Sequence, residues 1–185
     1  MSLFSALCFI WFLSEIFLAR AMRAKDSAKS EDKSSLKIIW ITICVSIPIG
    51  IFLSKTNFGI SNEYDDLIYY SGIFLVIFGI IIRWISILTL KKSFTVNVAV
   101  SDNQEIVQIG IYKFIRHPAY TGSLLSFLGL GIAVNNWLSL ICIFMPIYAA
   151  FYYRIVVEES VLKKAFGIKY ESYTKRTGKL LPKIL

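Results

Sequence analysis

The sequence predicts an all-α integral membrane protein with five transmembrane segments, the last two folded into a helical hairpin. Three observations carry this expectation. Hydrophobic residues fill 56% of the 185 positions and the mean hydropathy is +0.64, well above a soluble globular chain. Several long runs are apolar and almost free of charge, as membrane spans must be. The net charge of +8 is carried by Lys and Arg beside those runs. On a soluble basic face such an excess would suit a nucleic acid; placed here it marks membrane boundaries, and no nucleic-acid partner is expected.

The first run, Leu3 to Ala19, is apolar apart from serines and Glu15, and Arg20 and Arg23 follow it. It has no charged leader and no small-residue cleavage site, so it reads as an uncleaved helix. A carboxylate inside a span is costly unless paired or at the interface, and Glu15, one turn from Ala19, is expected at the interface. The second run is Leu36 to Ser54, with Pro48 tolerated inside it. The third, Leu67 to Leu90, places Gly72, Gly79, Arg83 and Ser86 on one helix face, where small residues let another helix approach. Arg83 either faces a ligand cavity or snorkels to the cytoplasmic headgroups two turns away at Lys91; snorkelling is the preferred expectation. Residues 92–118 are the longest polar stretch. The alternating TVNVAV (Thr95 to Val100) suggests a short extended excursion.

The fourth run, Ala119 to Val134, has 16 residues, short against a span of about 20. Asn135 and Asn136 turn the chain into the fifth run, Trp137 to Val157, and Gly122, Ser126 and Gly129 line one face of the shorter arm. In the tail, Val161, Leu162, Ala165 and Phe166 suggest an amphipathic helix on the membrane surface. Cys8, Cys44 and Cys142 lie in apolar runs without metal-ligand spacing, so buried free thiols are expected and neither a metal site nor a disulfide framework is indicated.

Loop charge sets the topology. The 20–37 loop, the Lys91 end and the tail, with seven Lys/Arg against Glu171 alone, belong in the cytosol; the 55–66 loop, with one Lys and three acids, belongs outside. Five segments with the N-terminus outside and the C-terminus cytosolic satisfy all four. The chain divides into a transmembrane part, 1–92, and a C-terminal part, 93–185.

Two polar clusters carry the candidate chemistry. In YKFIRHPAY (Tyr112 to Tyr120), Pro118 suits the first position of a helix and biases His117, the only histidine, to an extended conformation near the N-cap. There free N–H groups and the helix dipole, reinforced by Arg116, favour an anion. Tyr120 returns to the same face. An interfacial anchor explains these residues equally well. In RIVVEE (Arg154 to Glu159), Arg154 and Glu158 share a helix face. An ion pair is the simple reading, but Arg before Glu is the weaker order, and two adjacent carboxylates at a span end are expensive without a task. A two-point Arg fork for a substrate carboxylate and an acidic seat for a cation are the favoured alternative. Tyr112, Phe114, Tyr120, Tyr148, Tyr152 and Tyr153 are candidates to line a sulfonium pocket or to form an aromatic belt. No dinucleotide, Walker A, GxSxG or HExxH motif is present.

Three blocks, GIYKFIRHPAYTG (Gly110 to Gly122), RIVVEESVL (Arg154 to Leu162) and FGIKYESYTKRTGKLLP (Phe166 to Pro182), resemble the C-terminal core of isoprenylcysteine carboxyl methyltransferases. The resemblance covers roughly residues 93–182, and the five-segment size is similar to compact prokaryotic members. It implies an S-adenosylmethionine-dependent enzyme with a cytosolic cofactor pocket built by the C-terminal half, in a prokaryotic cytoplasmic membrane or, in a eukaryote, the endoplasmic reticulum. Carried over by position, Gln104, Glu105, Ile106, Val107, Tyr112, His117, Pro118, Ala119, Tyr120 and Glu158 would bind the cofactor, and Arg154 would orient the carboxylate of a lipid-tailed acceptor arriving from the bilayer. Arg154 and Glu158 would form the catalytic pair, with no metal. A phospholipid methyltransferase, a membrane steroid-type reductase using NADPH, and a non-enzymatic scaffold are the competing readings.

Overall fold

The computed structural model describes residues 3–21, 34–56, 65–90 and 105–183. Among the described residues six helices are formed: α1 (Leu3–Ala21), α2 (Ser34–Ser54), α3 (Asp65–Leu90), α4 (Pro118–Ala133), α5 (Trp137–Phe166) and α6 (Ile168–Arg176). A 3-10 turn, Gly110–Lys113, precedes α4. Three helices are long and apolar enough to cross a membrane, Ser34–Ser54, Asp66–Leu90 and Trp137–Phe166, and two shorter apolar ones, Phe4–Leu18 and Pro118–Ala133, accompany them. Their outward faces expose Phe9, Ile41, Phe52, Phe74, Leu88 and Met145, as lipid contact requires.

The bundle is built on two close helix pairs, α3 with α4 and α2 with α5. The small residues read from the sequence on α3 and α4 face each other. A Cβ on Gly122 would lie 2.6 Å from the Arg83 backbone nitrogen, and one on Gly129 would lie 2.5 Å from the Gly72 carbonyl oxygen. Backbones this close gain dispersion along their whole length. Ser126 adds a hydroxyl donated to the Val76 carbonyl at 3.1 Å. The hairpin turn is as expected: Asn135 takes a left-handed φ of 53°, and Asn136 caps α5 by accepting from the Ser139 N–H at 2.9 Å. That is the usual work of an Asn N-cap.

Several expectations are corrected. The fifth apolar run does not stop at Val157. α5 continues to Phe166 because nothing breaks it before Gly167, which terminates it at φ 51°. Val161, Leu162, Ala165 and Phe166 therefore belong to the end of α5, and the separate amphipathic helix is α6. Arg83 does not snorkel, and Glu15 is not left to the interface alone. They pair across α1 and α3, Nε donating to Oε1 at 2.5 Å and Nη2 to Oε2 at 2.6 Å. The thiols are not all buried: Cys44 is exposed and Cys8 and Cys142 half-buried, since an apolar position in a membrane helix need not face protein. The TVNVAV excursion lies outside the described residues, and the chain before α4 ends in the 3-10 turn rather than a strand.

Candidate active site

His117 is the N-cap residue of α4, with Pro118 at its first helical position. Its φ of −121° and ψ of 54° keep it off the helical region, as a following proline demands. The ring is buried and stacks at 5.7 Å on Tyr120, one turn on. α5 runs past this turn and presents both carboxylates of the RIVVEE cluster. His117 Nε2 lies 3.3 Å from Glu159 Oε1, and Nδ1 lies 4.0 Å from Glu158 Oε2. The imidazole and the acidic pair thus share one site.

The inner half of the site centres on the Tyr120 hydroxyl. It donates to Glu158 Oε2 at 2.7 Å and accepts from Arg154 Nε at 3.3 Å. Arg154 is 2% exposed, and its Nη1 donates to Ser35 Oγ at 2.7 Å. Arg154 and Glu158 therefore meet through a phenol from another helix. Burial of a guanidinium is tolerated only with such partners.

The outer half was not read from the sequence. Arg116 Nε donates to Glu159 Oε1 at 2.9 Å, and Lys179 Nζ lies 3.3 Å from Glu159 Oε2. Arg116 Nη1 also donates to the carbonyls of Thr174 and Thr177. Arg116 is thus committed to Glu159 and the tail rather than reinforcing an anion site. The backbone follows suit. After α6 the chain returns alongside the segment before α4: Arg116 N donates to Gly178 O at 2.9 Å and His117 N to Lys179 O at 3.1 Å, with a parallel bridge between Ile115 and Gly178. Thr121 Oγ1 closes the strap on Leu180 O at 2.7 Å. The positively charged tail marked these residues only as a cytosolic surface.

Tyr112 is buried, its hydroxyl 3.4 Å from the Ser86 carbonyl. Burial first, and then the negative charge of Glu158, push that hydroxyl's pKa well above its ordinary value. Its own carbonyl accepts the Tyr173 hydroxyl at 2.7 Å. Of the proposed aromatic lining, Tyr112 and Tyr120 reach the site, whereas Phe114, Tyr148, Tyr152 and Tyr153 are exposed; Tyr152 lies instead beneath Lys179, 5.1 Å from its ring centre. Pro118 and Ala119 form the buried first turn of α4. Glu105 is exposed and Ile106 and Val107 are half-buried in the stretch leading to the 3-10 turn, while Gln104 lies outside the described residues. One buried polar atom near the cluster, the Tyr170 hydroxyl, has no hydrogen-bond partner among the described residues. An orphaned hydroxyl is the kind of group a ligand satisfies.

Comparison with known proteins accounts for this arrangement. The model of the isoprenylcysteine carboxyl methyltransferase (ICMT) family matches residues 72–164. The chain is 32% identical over 115 residues to a probable protein-S-isoprenylcysteine O-methyltransferase of Oryza sativa subsp. japonica, covering 61% of this chain and 60% of the relative. It is 32% identical to protein-S-isoprenylcysteine O-methyltransferase B of Arabidopsis thaliana, covering 60% and 57%, and 34% identical to the Schizosaccharomyces pombe enzyme of that name, covering 50% and 40%. The solved structure of a eukaryotic intramembrane Ras methyltransferase, ICMT, superposes with a TM-score of 0.58 at 26% identity, over 82% of this chain and 53% of that one. The chain thus spans three fifths or less of these relatives. The matched stretch begins at Gly72, where α3 packs on α4, and ends beyond the paired carboxylates of α5. It takes in His117, Tyr120, Arg154, Glu158 and Glu159, and the chain belongs to the isoprenylcysteine carboxyl methyltransferase family.

Proposed function

We propose that this protein is an S-adenosylmethionine-dependent membrane methyltransferase that esterifies the carboxylate of a lipid-tailed, isoprenylcysteine-like acceptor. The single observation that carries the reading is the Glu158–Tyr120–Arg154 array beside His117. It sets an acidic group and aromatic faces, suited to a sulfonium, next to a guanidinium suited to a carboxylate. The residues present fit the cofactor. Glu158 keeps 28% of its side chain exposed beside buried Tyr112, and the orphaned Tyr170 hydroxyl offers a further polar group.

When bound, S-adenosylmethionine supplies an electrophilic methyl group to the acceptor carboxylate. That carboxylate is ionised at neutral pH, so the chain has no proton to remove. Its work is placement. Glu158, Tyr112 and the His117–Tyr120 run hold the cofactor, with Glu105, Ile106 and Val107 contributing from the preceding stretch and Gln104 from beyond the described residues. Arg154, fixed by Ser35 and Tyr120, orients the acceptor. Buried Tyr112 and Phe151, with half-buried Tyr120, exclude water, which strengthens each of these attractions. An apolar groove of about 320 Å³ between α2 and α5 is lined by Ile38, Thr42, Pro146, Ala149, Ala150 and Tyr153, the last adjacent in sequence to Arg154. It supports a lipid tail on the acceptor. Five spans with the C-terminus in the cytosol, and residues 93–185 as the methyltransferase core on a frame of residues 1–92, complete the proposal.

Isothermal titration of the purified protein with S-adenosylhomocysteine tests it, followed by methyl transfer to a farnesyl-cysteine analogue. Micromolar binding and turnover support the assignment. Binding of NADPH in place of S-adenosylhomocysteine would move the chain to a reductase.

A further inference from the structure

Glu15 and Arg83 join α1 to α3 by a two-point fork among apolar helices, with side chains 19% and 13% exposed. Charges in such a setting are expensive and mark function more often than packing. The third contact of this pair points to its task. Arg83 Nη1 donates at 3.3 Å to the carbonyl of Ala119, which lies in the first turn of α4 between His117 and Tyr120. One turn along α3, the Ser86 carbonyl meets the Tyr112 hydroxyl. The same face of α3 therefore backs both ends of the YKFIRHPAY stretch. Arg83 is close enough to act electrostatically on the Tyr112 hydroxyl, on which Glu158 also acts with opposite sign.

From this juxtaposition we infer that Arg83 is a positioning residue for the first turn of α4, and that Glu15 cancels a positive charge that would otherwise oppose a cationic ligand beside Glu158. Without Glu15, the guanidinium would face the site as a bare cation in a poorly screened setting, where its field reaches well beyond contact distance. The inference rests on the proposed function, because the ligand in question is a sulfonium.

The charge role has a readout that a packing role lacks. S-adenosylmethionine carries the sulfonium charge, whereas S-adenosylhomocysteine is its thioether, so the ratio of their affinities reports the field at the sulfur. In Glu15→Gln, S-adenosylmethionine should weaken relative to S-adenosylhomocysteine by about five-fold. In the double variant Glu15→Gln with Arg83→Met, which removes both charges of the pair and leaves none unpaired, the ratio should return to that of the parent. If Glu15→Gln does not fold, Glu15→Asp, whose shorter carboxylate neutralises Arg83 less completely, should move the ratio in the same direction by about two-fold. An unchanged ratio, or equal weakening of both ligands, overturns the inference. Failure of the parent protein to bind either ligand overturns the proposed function instead.

Discussion

Glu159 is ringed by Arg116, His117 and Lys179 and keeps 13% of its side chain exposed, whereas Glu158, one residue earlier, accepts the Tyr120 hydroxyl and keeps 28% exposed. Adjacent residues on a helix point about 100° apart. On α5 that rotation sends Glu159 toward the segment before α4 and the returning tail, and Glu158 toward the interior of the bundle. Identical side chains thus acquire different work. Glu159 joins three chain segments that are distant in sequence. Glu158 meets the Tyr120 hydroxyl with its charge less enclosed. A carboxylate already held by the cations Arg116 and Lys179 offers little to an incoming sulfonium, so binding capacity should follow Glu158 and stability should follow Glu159.

The largest expected effect tests the stability side. Glu159→Ala leaves Arg116, His117 and Lys179 facing one another without their shared anion, and removing one partner of a largely buried ion cluster costs about 3 kcal/mol. Thermal unfolding in detergent should show the loss directly, and the tail strap at residues 177–180 should become readily cleaved by protease. An equal loss in Glu158→Gln would erase the contrast between the two positions.

Next comes the frame that carries His117 and Tyr120 between the two glutamates. Gly122→Ala places a methyl 2.6 Å from the Arg83 backbone nitrogen, where α3 cannot yield without moving. Overpacking of this kind costs about 2 kcal/mol and should push α4 away from α3. Both stability and cofactor affinity should fall, which distinguishes a shared support from either glutamate alone.

The binding side is tested by Glu158→Gln. The amide keeps the volume and can still accept the Tyr120 hydroxyl, but it removes the charge that attracts a cation. Affinity for S-adenosylmethionine should fall about ten-fold, or ~1.4 kcal/mol, with the unfolding temperature nearly unchanged. Titration calorimetry beside a thermal melt checks both halves of that statement.

How far the site was legible in the sequence follows the same division. The apolar helices were legible because hydropathy needs no partner to be recognised, and the α3–α4 contact was legible because small residues recur at helical spacing on both helices of the pair. Proline at 118 fixed the start of α4, which put His117 and Tyr120 on one face. Glu158 and Arg154 followed from helical spacing. The Glu15–Arg83 fork was not legible, since it joins residues 68 apart whose only sequence mark is their cost. The Glu159 clamp was hidden for another reason. Lys179 and Thr177 return to Arg116 only because Gly167 breaks α5 and redirects the chain through α6. A hydropathy cut at Val157 ended the span by composition, although the backbone had no reason to stop there.

The smallest effect probes how the tail is tied to the segment before α4. Tyr173, on α6, donates to the Tyr112 carbonyl at 2.7 Å, and Tyr173→Phe should cost about 1 kcal/mol, the net value of one buried hydrogen bond. The same hydroxyl supplies a pH signature. Burial, opposed in part by Arg116, pushes its pKa from the ordinary 10 up to about 12. Between those values the folded protein keeps a proton that the unfolded chain releases. Its contribution to stability is therefore complete below pH 10 and lost as pH rises toward 12. Tyr112 and Tyr170 are shifted in the same direction by burial, so an alkaline decline should survive in Tyr173→Phe with a shallower slope. A slope identical to that of the parent would mean that Tyr173 ionises as readily in the folded protein as in the unfolded chain, and the tie between α6 and Tyr112 would have to be sought elsewhere.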